Sequence, residues 1–391
     1  MARRNELLGL GLLAAVCLLF IAFSQKESPR YSRALKYEEL YDEGLPEAHP
    51  NASLLSVKEV VRLQQSAIRY ALKDYPFPAG RRLNDYTLAA GGRPLRTVIV
   101  TTWRSGSTFL GDVINAVPGN YYHYEPLLDY GIIQIRGPPH ADSAIASLRS
   151  LLNCDYSSLQ NYLEYGKTHT YLFMHNTRLW GLCETFPHYC WNATFLSNVC
   201  KVFPFQSMKT VRIRLRLAEE LLRDEKLNVK VLLLMRDPRG SLQSRKHRDW
   251  CPGEPDCDKP NLVCADMVAD YSAAIQLKKL YPDRFRAIRY EDLCMDPYNH
   301  LKDLFKFFGL YFHRAVREFL DSHTKKDVGG VSSTSRDTKS APFHWRADLN
   351  FSEVQYIEEN CDQAMKLWGY IKASNESHLR EFHPLTNYSI E

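Results

Sequence analysis

Short apolar runs alternate with amphipathic segments through most of the chain. Residues 96–101 form a β-branched run between turn residues, and a loop of small residues separates it from a helix-like stretch at 109–114. This pattern predicts a strand, a loop and a helix in immediate succession.

Two further apolar runs repeat that arrangement. The run 229–235 is followed by Pro238, a residue that suits the first turn of a helix. A third strand is predicted at 286–290, before a helical stretch at 301–308. Almost wholly apolar strands that alternate with helices predict an α/β fold, with a parallel sheet flanked by helices. Ligands of such sheets bind beyond the carboxyl ends of the strands.

The N-terminal run 7–23 carries no charge, and Arg3 and Arg4 precede it. Its length is close to the minimum of about 17 residues for a spanning helix, and the basic flank predicts a cytoplasmic tail at 1–6. We therefore expect a signal-anchor helix and a lumenal body, which is type II topology. The alternative is a signal peptide that is cleaved near small residues such as Ala22. Both interpretations place the body in the secretory pathway.

The polar, turn-rich segment 24–95 is predicted to be a lumenal stem with one helix near 57–72, and residues 96–391 to be the catalytic domain. Five sequons support a lumenal glycoprotein, and their asparagines are Asn51, Asn192, Asn350, Asn375 and Asn387.

Composition and cysteine usage agree with that placement. The 391 residues are 45% hydrophobic, enough for a large core, and the net charge of +5 is too small to indicate a nucleic-acid partner. Of ten cysteines, Cys17 lies in the N-terminal run, so at least one of the other nine stays unpaired. We expect structural disulfides among Cys183, Cys190, Cys200, Cys251, Cys257 and Cys264.

The loop after the first predicted strand has the composition of a phosphate cradle. Gly106 allows the backbone to approach an anion, and Ser107 and Thr108 supply donors at the beginning of a helix. The alternative is a helix-capping serine turn with Arg104 exposed. The loop lacks the spacing of a nucleoside triphosphatase loop.

The second predicted strand ends at a cation as well. Arg236 follows it directly, and Ser244 lies about a turn and a half into the next helix, so the pair could hold a second phosphate. The alternative is a solvated basic helix face, because other cations are nearby: Arg239, Arg245, Lys246 and Arg248.

The sequences WRSGSTF at 103–109 and RDPRGSLQS at 236–244 together resemble the two signatures with which Golgi carbohydrate sulfotransferases bind 3'-phosphoadenylyl sulfate (PAPS). That family modifies galactose, N-acetylgalactosamine or N-acetylglucosamine at the 6-hydroxyl. YEPL at 124–127, RYEDL at 289–293 and FHWR at 343–346 extend the resemblance over about residues 96–370.

The resemblance implies a P-loop-like PAPS-dependent sulfotransferase fold, a Golgi membrane location and a glycan or proteoglycan acceptor. It assigns the 5'-phosphosulfate end to Trp103, Arg104, Ser105, Gly106, Ser107, Thr108 and Phe109. It assigns the 3'-phosphate to Arg236, Asp237, Pro238, Arg239, Gly240, Ser241, Leu242, Gln243 and Ser244.

Sulfuryl transfer requires a donor clamp and an acceptor base. Arg104 is predicted to clamp the donor by charge and bidentate hydrogen bonds, because arginine does not give up its proton. No metal is expected, since fixed cations can replace it. Glu125 is the predicted base, with an ion pair to a neighbouring arginine or a turn carboxylate as the alternatives and His123 as the rival base. Glu291 is expected to be a turn or capping group.

Alternating polar and apolar residues at 209–216 predict a strand with its cations on one face. Lys209 and Arg212 are candidate contacts to an anionic glycan, and a solvated edge is the alternative. Two other functions stay open: a lumenal protein-tyrosine sulfotransferase and a non-catalytic glycan-binding relative. The loop forms disfavour the first, and the presence of Arg104, Glu125 and Ser244 disfavours the second.

Overall fold

The computed structural model of the protein describes residues 55–324 and 338–391. The predicted tail, the apolar run 7–23, Cys17 and Asn51 lie outside these ranges, so the predicted anchor stays a prediction. Within the described ranges, no helix combines the length and hydrophobicity that crossing a membrane requires.

A five-stranded parallel sheet forms the centre of the protein, in the order β2-β3-β1-β4-β5. The strands are β1 (Leu95–Val100), β2 (Asn120–Tyr124), β3 (Phe205–Thr210), β4 (Val229–Met235) and β5 (Phe285–Arg289). Nearly every residue of β1, β3 and β4 is buried, so both faces of the sheet are covered. The predicted parallel α/β sheet is confirmed.

Helices connect the strands and cover the sheet. Before β3 they are α1 (Val57–Ala71), α2 (Ser107–Asn115), α3 (Ala141–Leu152), α4 (Gln160–Thr168), α5 (Tyr171–Met174), α6 (Thr177–Thr185) and α7 (Ala193–Lys201). Between β3 and β5 they are α8 (Leu215–Arg223), α9 (Pro238–Lys246), α10 (Pro255–Asp258) and α11 (Pro260–Leu280). After β5 they are α12 (Tyr290–Met295), α13 (Pro297–Phe308), α14 (Arg314–His323), α15 (Trp345–Asp348), α16 (Phe351–Asn360), α17 (Asp362–Leu367) and α18 (Glu376–Glu381).

Helix α9 begins where local chemistry predicts. The Asp237 side chain accepts a hydrogen bond from the backbone N–H of Arg239, and Pro238 occupies the first turn, where its missing N–H costs nothing. The helix therefore begins shortly after the end of β4, and its N-terminus lies at the carboxyl edge of the sheet.

The C-terminal part of the predicted stem packs against the body. Val60 and Ile68 of α1 are buried, and the ring of Tyr75 lies 5.0 Å from the ring of Phe205 in β3. The helix predicted near 57–72 is confirmed, whereas the domain boundary at 95 stays a prediction.

Four disulfides join the described cysteines. Two close within the predicted sets, Cys183–Cys190 and Cys251–Cys257. The other two reach outside them, Cys154–Cys200 and Cys264–Cys361, and Cys294 is a buried free thiol. The expected unpaired cysteine is therefore Cys294.

The strand predicted at 209–216 is wrong in extent. Strand β3 ends at Thr210 and helix α8 begins at Leu215. The solvated-edge alternative is also wrong, because β3 lies between β2 and β1, and Lys209 and Arg212 are buried. The alternating polar and apolar residues belong to the buried end of β3 and the segment that follows it, where Lys209 and Arg212 are paired with a carboxylate.

Candidate active site

The carboxyl ends of the strands bring the predicted site residues to one edge of the sheet. The loop 101–106 follows β1, Glu125 follows β2, Arg236 follows β4 and Tyr290 follows β5. The chain visits β2 and β3 on one side of β1 and then β4 and β5 on the other. Such a change of direction leaves a crevice beyond the strand ends, where α/β proteins bind ligands.

The loop after β1 has a backbone that leaves the beginning of α2 accessible. Arg104 has φ 62° and Gly106 has φ 84°, both in the left-handed region. A Cβ at Gly106 would lie 2.2 Å from the Tyr290 ring, so both conformation and space require glycine. Gly106 is also the N-cap of α2 and has no side chain to accept from the first amides, which makes this helix end suitable for an anion.

The two predicted anion loops contact each other directly. Arg104 Nε donates to Ser244 Oγ at 3.0 Å, and Arg236 Nη1 donates to the carbonyl oxygen of Arg104 at 2.6 Å. The Arg236 guanidinium lies over the Tyr290 ring at 4.7 Å. Residues that are more than 130 positions apart thus form one cationic cluster at the crevice.

Arg236 also provides a fit test for an anionic cofactor. Its Nε is buried and has no hydrogen-bond partner among the described residues. A buried guanidinium N–H without a partner is costly, and a phosphate oxygen would satisfy it. The cluster therefore suits the phosphates of a molecule such as PAPS.

Other residues of the predicted run 103–109 form contacts within the loop or pack against neighbouring helices. Ser105 Oγ lies 2.7 Å from Thr101 Oγ1, and the Phe109 ring packs 6.2 Å from the Phe319 ring. Ser107 is buried in the first turn of α2, and Thr108 is partly exposed there.

Five residues of the second run have side chains engaged in the fold. Arg239 is buried and pairs with Asp237 and with Glu358, each at 2.7 Å. Ser241 Oγ donates to the Pro238 carbonyl at 3.2 Å. Leu242 belongs to the hydrophobic core, and Gln243 Nε2 donates to Asp348 Oδ2 at 2.8 Å.

Within this run, Gly240 lies against the cationic cluster. A Cβ there would approach Arg236 Nε at 3.3 Å and Trp345 at 3.1 Å. Gly240 thus packs beside Arg236, and Arg236 and Ser244 of this run contact the first loop.

Arg245 is a structural contributor that sequence reasoning missed. Its buried guanidinium donates to the Trp103 carbonyl at 3.0 Å, to Thr102 Oγ1 at 2.9 Å and to the Cys257 carbonyl at 2.8 Å. It thereby fixes the loop after β1 to the segment that follows α9. Local sequence carries no signal for this, because Arg245 stands in a cationic run where exposure is the usual expectation.

Glu125 lies in a compact charged cluster with both predicted substrate residues. Its carboxylate oxygens contact Lys209 Nζ at 2.5 Å and Arg212 Nη1 at 2.9 Å. Burial alone would raise the pKa of Glu125, but the charges and hydrogen bonds of the two cations outweigh burial and hold the pKa at about 2. The carboxylate is therefore ionised at neutral pH, in the ion pair that the sequence left as an alternative.

Trp103 connects this charged cluster to the loop after β1. The Arg212 guanidinium carbon lies 5.7 Å from the centre of its ring, and that of Arg245 lies 5.9 Å away. These distances are typical of cation–π contacts.

The rival base His123 lies within β2, opposite Met208 of β3. Its ring is buried beside Tyr121, and burial lowers its pKa to about 3. The strand register therefore leaves His123 in the sheet, whereas Glu125 follows the strand end.

The carboxylate of Glu291 holds the beginning of the second loop by a hydrogen bond. Its Oε1 accepts from the Asp237 N–H at 3.0 Å and its Oε2 from Tyr370 OH at 3.0 Å. Burial, followed by the charge of Asp237, raises the pKa of Glu291 to about 7. Among the described residues, no group of His, Cys, Asp or Glu side chains is arranged to hold a metal ion.

A parallel α/β sheet whose edge carries two cationic loops in direct contact is an arrangement that suits a phosphorylated ligand. A family model described as the sulfotransferase domain matches residues 94–369. The match spans more than half of the chain, and the chain belongs to the sulfotransferase family. The family membership predicted from the two loops is confirmed.

The chain is similar to carbohydrate sulfotransferases of other organisms. Carbohydrate sulfotransferase 5 of Mus musculus is 27% identical in an alignment that covers 74% of this chain and 84% of that protein. Carbohydrate sulfotransferase 3 of Homo sapiens is 24% identical in an alignment that covers 97% of this chain and 92% of that protein. Among solved structures, the sulfotransferase domain from the Synechococcus PCC 7002 olefin synthase matches with a TM-score of 0.39 and 18% identity, covering 69% of this chain and 94% of that chain.

Proposed function

We propose that this protein transfers a sulfuryl group from PAPS to a sugar hydroxyl, the 6-hydroxyl of a hexose or N-acetylhexosamine in a glycan. The observation that carries the proposal is the direct contact between the two anion loops, in which Arg104 binds Ser244 and Arg236 binds the Arg104 carbonyl. The carbohydrate acceptor is supported by the names of the relatives, and the 6-position by the resemblance of the loops.

The cationic cluster accounts for donor binding. PAPS, when bound, supplies the sulfuryl group and leaves as adenosine 3',5'-bisphosphate. Arg104 and the first amides of α2 would hold its 5'-phosphosulfate end, and Arg236 and Ser244 its 3'-phosphate. Fixed cations and oriented amides stabilise charge that develops on a leaving phosphate, and they need no reorganisation during the reaction.

Glu125 is proposed to accept the proton of the acceptor hydroxyl. It is ionised, and it follows β2 at the same edge as the donor loops. Its low pKa reduces its strength as a base, and its contacts with Lys209 and Arg212 must loosen as the proton arrives. The same two cations are then available to an anionic acceptor.

The test is transfer of radiolabelled sulfate from PAPS to a panel of desulfated chondroitin, keratan and N-acetyllactosamine acceptors. An acidic tyrosine-containing peptide in the panel tests the protein-sulfotransferase alternative. We expect label in at least one glycan, and nuclear magnetic resonance of the product to show a 6-sulfate. Label in the peptide alone, or binding of glycans without any transfer, would contradict the proposal.

A Golgi membrane location with a lumenal catalytic domain is part of the proposal, supported by the run 7–23 and the basic residues before it. The asparagines of the four described sequons are exposed, as glycan attachment requires. N-terminal sequencing of the full chain recovered from the secretory pathway tests the anchor. A new N-terminus near Gln25 would show cleavage and would contradict it.

A further inference from the structure

A small apolar cluster lies apart from the main core, beside the proposed active site. Its buried members are Trp103, Val211, Cys251 and Cys257, and Ile132 packs against them. They come from the loop after β1, the chain beyond β3, the loop after β2, and the segment 250–257, here called the disulfide loop. The proposed transfer reaction assigns no role to the disulfide loop.

Trp250 stands at the beginning of the disulfide loop and is 37% exposed. All six tryptophans of the chain lie in the described residues, and Trp250 is the most exposed of them. Its ring centre lies 6.3 Å from that of Trp103, with 58° between the ring planes. A Trp ring that is open to solvent at the edge of a site is available as a binding contact.

The disulfide loop is held rigidly in this position. Cys251 and Cys257 close it, and Arg245 binds its Cys257 carbonyl at 2.8 Å. Asp256 accepts from the Gln134 N–H at 2.7 Å and pairs with Arg136 at 2.8 Å. Binding to a ring on such a loop costs little ordering entropy.

A row of side-chain contacts connects Trp250 to the proposed base. Glu125 contacts Arg212 at 2.9 Å, the Arg212 guanidinium lies 5.7 Å from the Trp103 ring centre, and Trp103 contacts Trp250. Two side chains, Arg212 and Trp103, stand between Glu125 and Trp250 in this row. We therefore expect the sulfated sugar at Glu125 and a second sugar of the same glycan at Trp250.

We propose that Trp250 is a sugar-binding platform of the acceptor site, which stacks on the C–H face of the pyranose next to the one that is sulfated. The inference rests on the proposed function and specifies its acceptor as a chain of at least two sugars. The indole face carries partial negative charge, which attracts the polarised C–H groups of a pyranose. The platform favours a neutral sugar, because the disulfide loop carries the carboxylates Glu254 and Asp256 and no cation.

The test compares Trp250→Ala with the parent enzyme on two acceptors, a tetrasaccharide of galactose and N-acetylglucosamine and a single N-acetylglucosamine glycoside. We expect KM for the tetrasaccharide to rise about tenfold, with kcat unchanged, because an aromatic contact is lost. Trp250→Phe keeps an aromatic face, and its KM should rise only about threefold. With the single sugar, KM should change less than about twofold for either variant.

Affinity for adenosine 3',5'-bisphosphate, measured by calorimetry, should stay at the parent value. Tyr356→Ala is the matched control, because Tyr356 is an exposed aromatic residue on α16. If the alanine variant does not fold by circular dichroism, Trp250→Phe carries the test.

Three results would overturn the inference: an unchanged tetrasaccharide KM, an equal loss with the single sugar, or a loss of bisphosphate affinity that places Trp250 in the donor site. Failure of the parent enzyme to sulfate any glycan would instead contradict the proposed function itself. The two failures are distinguishable, because the first group of results requires an active parent enzyme.

Discussion

The donor side and the acceptor side of the crevice are built in different ways. On the donor side, two loops each follow a strand and begin a helix, and Gly106 and Pro238 set their geometry locally. On the acceptor side, Glu125 and Arg212 come from segments 87 positions apart and meet only through packing.

The cations of the two sides also differ in their partners. Arg236 contacts a carbonyl oxygen and an aromatic ring, so its charge stays available to an anion. Lys209 and Arg212 share the carboxylate of Glu125, so their charges are largely balanced. In the proposed mechanism, the donor side therefore binds charge and the acceptor side exchanges a proton, and mutations can test this distinction.

The largest expected effect is on turnover. Glu125→Gln cannot take up a proton, so kcat should fall about a hundred- to ten-thousand-fold while affinity for adenosine 3',5'-bisphosphate survives. Steady-state kinetics and calorimetry on the same folded variant check this, with the exposed Glu359→Gln as control. A combined loss of kcat and affinity would identify a structural carboxylate. A kcat within a few-fold of the parent would remove Glu125 from the mechanism.

The dependence of kcat/KM on pH below neutrality tests the same role of Glu125. Because the pKa of Glu125 is about 2, its protonation should not lower kcat/KM of the parent as pH falls from 7 to about 4.

The next predicted effect, on stability, distinguishes Arg239 from Arg236, two arginines of the same run 236–244. Arg239→Ala leaves the buried carboxylates of Asp237 and Glu358 unpaired, and the free energy of unfolding should fall by about 3 to 5 kcal/mol. Urea denaturation measures it, and bisphosphate affinity of the folded variant should change little. If affinity falls without a loss of stability, then Arg239 belongs to the donor site after all.

Arg236→Ala should show the opposite pattern. Loss of a charged donor to the 3'-phosphate should weaken bisphosphate binding about ten- to a hundredfold, with a smaller change in stability. Calorimetry checks this, and Arg62→Ala on the exposed side of α1 is the control. Unchanged affinity would show that the second anion loop has been misplaced.

The smallest effect concerns the pH dependence of stability. The pKa of Glu291 is about 7 in the folded state and 4.5 as its ordinary value, so the folded state binds the proton more tightly. The resulting stabilisation is complete below about pH 4.5 and is lost as pH rises through about 7. Glu291→Gln retains an acceptor for the Asp237 N–H and removes the titration.

Melting temperatures of the parent and of Glu291→Gln, measured from pH 4.5 to 8, test this. The melting temperature of the parent should decline relative to that of the variant by about 2 to 4 °C over that range. Parallel curves would mean that Glu291 does not titrate there.

Local sequence determined the donor side. The apolar runs, the glycine at 106 and the proline at 238 predict strand, loop and helix from stretches of about ten residues, because backbone conformation and hydrophobic periodicity are local properties. The predicted strand at 229–235 matches β4, and the two phosphate loops lie together as their resemblance implied.

Tertiary structure alone decided the acceptor side. Glu125 lies 87 positions from Arg212 and 84 positions from Lys209. The alternation at 209–216 predicted a strand with its cations on one face, as contacts to a glycan or as a solvated edge. The position of β3 inside the sheet instead buries Lys209, which is paired with the carboxylate of Glu125. Burial of a charge depends on which strands lie side by side, and strand order is set by the packing of the whole sheet, which no local pattern contains.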